Sequence, residues 1–170
     1  MAGKFGPWTT VLSGLPYDVQ ASLYTYLMGA NNIPPAQTVY RMPLLVATDR
    51  LTLTSGGSAS GSFKYNALTV VYGLSASFWV TGGAVTAERS LIDLKVTFNN
   101  DQTTWIGSND QPCSLSSLGD GDHPTRTDPL LAKRSDTWNV TLTAGTLAAT
   151  SYSRVTAHGI QLYSTAGAFG

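Results

Sequence analysis

The stretch LGDGDHPTRTDP, Leu118 to Pro129, gathers three aspartates and one of the chain's two histidines in a protein with only 12% charged residues. Carboxylates in such density are what a cation would need, and Asp120, Asp122 and Asp128 are the metal candidates of this chain. A calcium loop takes about six to eight oxygens at fixed alternating positions, usually closed by a distal bidentate glutamate. These aspartates are irregularly spaced, and the only glutamate is Glu88. Zinc prefers paired histidines and cysteines, whereas His123, His158 and Cys113 lie far apart. Gly119, Gly121, Pro124 and Pro129 punctuate the same stretch, and aspartates favour turns by bonding nearby backbone amides. The stretch is therefore predicted as a surface or interface loop.

Other chemistry is equally sparse. No G-x-S-x-G elbow, H-E-x-x-H motif or glutamate pair occurs. Gly56, Gly57 and Gly61 lack the lysine that follows a phosphate-binding loop. Cys113 has no basic neighbour to activate it, and His158 falls in a strand-like run as a structural residue. A metal enzyme of cupin type would want several histidines where this chain has two. The expectation is a non-enzyme with no cofactor. The four tryptophans, eight tyrosines and five phenylalanines belong to core and contact surfaces, although several on one face would make a sugar-stacking platform. Trp8, Tyr24 and Trp79 are the interface candidates, because large aromatics anchor subunit contacts. Trp79 falls on the parity opposite to Leu74, Ala76, Phe78 and Val80, which read as buried.

The elements that must position these residues are mostly short runs of Val, Thr, Tyr, Phe and Trp between Gly, Ser, Asn and Asp clusters, the pattern of an all-β domain. In LIDLKVTFNN, Ile92, Leu94, Val96 and Phe98 face one side; in TWNVTLTAG, Trp138, Val140 and Leu142 do the same. Further runs cover Thr38 to Ala47, Arg50 to Ser55, Ser62 to Tyr72, Ser75 to Thr81, Thr103 to Ile106 and Ser151 to Tyr163, eight in all. In the last, Val155 and Ala157 oppose Ile160 and Leu162 in parity, and Gly159 marks a bulge that resets the register. Thr54 to Ser62 reads as a mobile loop, and Gly107 to Asp136 as a long irregular connection of the kind that meets a partner.

Residues 1–37 read as an N-terminal arm, with a helix capped by Asp18, carrying Val19, Leu23, Tyr26 and Leu27 on one face and stopped at Gly29. So short a helix must dock on something. Residues 38–170 form the β-domain, one domain overall at 170 residues. Ten basic and ten acidic residues cancel and the basic ones are scattered, so no nucleic-acid footprint exists and self-association meets little repulsion. The N-terminus has no apolar signal region and no stretch approaches a spanning helix, which predicts neither conventional secretion nor membrane insertion. The sequon at Asn139 then carries no meaning.

Eight short strands, one long connection and a helix-bearing arm suit a single eight-stranded jelly-roll barrel or sandwich better than an immunoglobulin-type one. From RLTLTSGGSASGSF through SRVTAHGIQLY, over most of the chain, the layout resembles the single-jelly-roll coat proteins of icosahedral viruses. In particular it is similar to the small major capsid protein of tailless phages with an internal membrane. The resemblance implies a structural virion subunit, made in the host cytoplasm, that forms homodimers or higher capsomers. It implies tiling with a second capsid protein over a lipid membrane without insertion. The rival expectation is a carbohydrate- or receptor-binding β-sandwich of a phage tail or spike.

Overall fold

The computed structural model describes residues 4–7, 17–25, 38–81, 87–98, 103–107, 113–121 and 123–164. The chain is mostly β, in two antiparallel sheets that pack face to face. The first sheet holds β1 (Lys4–Pro7), β2 (Thr38–Ala47), β11 (Ser151–Ser164), β5 (Leu68–Val80) and β9 (Thr125–Ala132) in that spatial order, with β3 (Leu51–Leu53) also paired to β11. The second sheet runs β4 (Ser58–Lys64), β10 (Thr137–Ala144), β6 (Ile92–Phe98) and β7 (Thr103–Ile106), with β8 (Cys113–Ser114) paired to β6. Helix α1 spans Tyr17–Thr25 and lies against β5 and β9.

Period-2 alternation builds the core between the sheets. Ile92, Leu94, Val96 and Phe98 of β6 and Trp138, Val140 and Leu142 of β10 are buried as predicted, facing Val71, Leu74, Ala76, Val155 and Ala157 of the first sheet. Burying side chains of this size stabilises by about 1.5–3 kcal/mol each, so this layer is the main source of stability.

Several sequence expectations need correction. The predicted loop Thr54 to Ser62 shrinks to a turn, because β4 begins at Ser58 and pairs along its length with β10. The predicted irregular connection Gly107 to Asp136 contains β8, a single 3-10 turn at Leu115–Ser117, and the whole of β9. The run Ser62 to Tyr72 divides between β4 and β5, and Ser75 to Val80 is the end of β5, with Thr81 in the turn that follows. The arm contributes β1 to the first sheet as well as the helix. Asp18 falls inside α1, since Tyr17 already opens it. Leu27 and Gly29 lie outside the described residues.

The register shift predicted near Gly159 is present, between His158 and Gly159, but the extra residue is on the other strand. His158 pairs with Gly73 and Gly159 with Val71, so Tyr72 of β5 is the bulged residue. β11 itself keeps its parity, and Ile160 and Leu162 stay on the outer face opposite Val155 and Ala157. They pair there with Val70 and Leu68, and all four are buried. A second apolar layer thus lies outside the first sheet, with α1 against its β5 and β9 side.

Candidate interaction surface

The aspartate-rich stretch is a structural connector whose path is fixed from several sides. Ala76 N–H donates to Gly119 O at 2.9 Å, and Gly119 forms a parallel bridge to Ser75. The Gly119 N–H donates to Thr125 Oγ1, whose hydroxyl donates to Ser117 O. Arg89, buried beneath, donates to Leu118 O at 2.9 Å and Leu115 O at 3.4 Å. Its guanidinium also stands 3.7 Å from Asp120, whose side chain is 72% exposed. The positive charge of Arg89 partly offsets the Asp120 carboxylate. Asp122 lies outside the described residues, and Asp128 belongs to β9. Among the described residues no three His, Cys, Asp or Glu side chains converge on a common point.

His158 Nε2 lies 2.8 Å from Ser75 Oγ, a pairing of the kind that activates a nucleophile. Ser75 is only 1% exposed, so no substrate reaches it, and the bond ties β11 to β5 beside the bulge. Cys113 Sγ is 2.9 Å from Ser117 Oγ at the 3-10 turn.

The interface candidates fare differently. Trp79 has the outward parity expected of it, and β3, β11 and β5 set Thr52, Tyr152 and Trp79 in one row across the outer face of the first sheet. The Trp79 and Tyr152 rings stack with centroids 5.9 Å apart and planes 29° apart. The Arg50 guanidinium sits 4.9 Å over the Tyr152 ring, a cation–π contact. Thr81 Oγ1 donates to the Tyr152 hydroxyl at 3.4 Å. Exposed Arg154 stands two residues from Tyr152 on the same face, so two guanidiniums and two aromatic rings share one open patch. Trp, Tyr and Arg are the residues most enriched at binding hot spots.

Tyr24 is half exposed and joins Tyr17, exposed at 86%, on one side of α1. With Gln20, Ala21 and Thr25 they line a shallow groove of about 320 Å³. Trp8 lies outside the described residues. Tyr152 and Arg154 were legible from the parity of β11, which sets them opposite Val155; Arg50 gave no such signal, because it precedes its strand. No family model matches this chain, and no curated protein is similar to it.

Proposed function

We propose that this chain is a single jelly roll serving as a major capsid subunit, one that self-associates and tiles an icosahedral shell. The strand order is the observation that carries the reading. Take β2, β4, β5, β6, β7, β9, β10 and β11 as eight principal strands. The first pairs with the last, the second with the seventh, the third with the sixth and the fourth with the fifth. That is one long hairpin. Rolled so that the last strand also meets the third and the seventh meets the fourth, it becomes two four-stranded sheets, a pairing order that supports a jelly-roll winding. Coat proteins, lectins and cupins share this winding, so the role rests on surface character as well. A zero net charge leaves copies free to meet, and the Trp79 patch and tyrosine face of α1 offer contact sites. A second coat protein and an underlying lipid layer, touched without insertion, are the partners this role brings.

The test is assembly of the purified chain. Light scattering coupled to size exclusion, followed by negative-stain microscopy, is expected to give discrete capsomers that grow with concentration. A strict monomer at millimolar concentration would overturn the reading.

The Trp79, Tyr152, Arg50 and Arg154 patch favours a second reading, a module that binds acidic carbohydrate, since rings stack on sugar faces and guanidiniums pair with carboxylates. Glycan-array binding by a monomer, lost in Trp79→Ala, would support that alternative.

A further inference from the structure

Among the described residues each sheet of the sandwich ends in two edge strands, and an open edge invites another chain unless something blocks it. Three of the four edges carry such a block. β1 is four residues long, with Lys4 at one end and Pro7 at the other, and the part of β2 it leaves uncovered contains Pro43. β9 carries Pro129 opposite the Tyr72 bulge, where Thr127, Asp128 and Pro129 span the gap between Arg126 and Leu130. β7 is only four residues long. The fourth edge, β4, is different. Its seven residues, SASGSFK, contain no proline, no bulge and no charge before Lys64. Among the described residues no strand pairs its outer side, and its inward residues Ala59, Gly61 and Phe63 are only half covered, whereas Val140 and Leu142 beside them on β10 are fully buried.

We infer that the β4 edge pairs antiparallel with β4 of a second copy of this chain, joining the two second sheets into one across a two-fold axis at Gly61. This rests on the self-association in the proposed function and names its surface. The only register in which all seven residues pair sets Gly61 against its own copy. Ala59 then faces the second copy's Phe63, small against large, and covers a ring that each copy alone leaves half open. Ser60 faces the second copy's Ser62 on the solvent side. Ser58 faces the second copy's Lys64, so the lysines are held at opposite ends. A two-fold contact needs such self-complementarity, in which residue i meets j and j meets i.

Ser60 and Ser62 are exposed, which allows charge to be placed there without entering the core. In the double variant Ser60→Lys with Ser62→Lys, lysines meet lysines across the axis, and like charges directly opposite destabilise strand pairing. In the variant Ser60→Glu with Ser62→Lys, each glutamate meets a lysine of the other copy. Analytical ultracentrifugation of the full chain at low salt is expected to show the dimer dissociation constant raised at least tenfold in the first variant and lowered in the second, with unchanged circular dichroism in both. If both variants associate like the unmodified chain, β4 is not the contact and self-association uses another surface. If the unmodified chain is monomeric at every concentration, the pairing and the shell reading both fall. If both variants weaken association, contact at this edge stands but the Gly61 register is wrong.

Discussion

Tyr65 is among the largest fully buried side chains, and among the described residues its hydroxyl has no hydrogen-bond partner. Burial first, and the nearby Asp136 carboxylate second, push its phenol above the ordinary tyrosine value. The unfolded chain therefore loses this proton first as pH climbs past about 10, and the folded state loses stability from there upward, by at most about 1.4 kcal/mol per pH unit. Below that pH the group contributes nothing to the pH dependence. Tyr65→Phe removes an unpaired polar atom as well as the titration. Urea melts are expected to show it within about 1 kcal/mol of the unmodified chain at pH 7, and more stable at pH 11. An equal alkaline loss in both proteins would refute the assignment. Gly159 illustrates the opposite sensitivity, because a Cβ there would fall on the carbonyl oxygen of Val70, a backbone atom that cannot step aside. Gly159→Ala gains at most about 1 kcal/mol from a stiffer unfolded chain. It loses about 3 kcal/mol to overpacking, so its denaturation midpoint falls, which a chemical melt reads directly.

At the scale of elements, α1 matters through the outer apolar layer of Leu68, Val70, Ile160 and Leu162, whose β5 and β9 side it lies against. A nine-residue helix is marginal in isolation, so it and the layer hold each other. Ala21 is exposed on α1, and Ala21→Pro acts on the helix backbone alone, at a cost of about 3 kcal/mol. Raised bis-ANS fluorescence with the Trp138 environment intact is the expected result; unchanged dye binding would mean that α1 does not cover the layer. The same elements show what the sequence made legible. The bounds of β2 and β7 are those expected from the β-branched runs, and the alternation in β6 and β10 identified the core face. β4 reads as a loop because an edge strand buries little, so Ser58, Ala59, Ser60 and Gly61 show almost no alternation. β9 is hidden because Asp128 and Pro129 sit at a bulge, where no ladder hydrogen bond is required of them. The outward turn of Trp79 and of Tyr152 was legible from parity, but their meeting, with the Arg50 cation just ahead of β3 over the Tyr152 ring, depends on pairing between segments far apart in the chain.

At the scale of the molecule, the nested hairpin sets the order in which the parts can form. β6 and β7 are neighbours in sequence and close cheaply, whereas the β2–β11 ladder joins Val39 to Ser164. Loop-closure entropy rises only slowly with length, so this pairing costs little in final stability. Its cost falls on the rate, since contacts that distant reward the chain only after most of it is ordered. β11 lies between β2 and β5, and the first sheet cannot be completed before it docks. Refolding from urea, followed by fluorescence with Trp138 as the only retained tryptophan, is expected to relax on the order of seconds, at the slow end for sandwiches. Truncation before Ser151 is expected to leave a collapsed chain that binds dye and lacks a cooperative melt, because β2 would lose the strand that joins it to β5. A truncated chain that still melts cooperatively would mean that the second sheet and its core fold independently of the first.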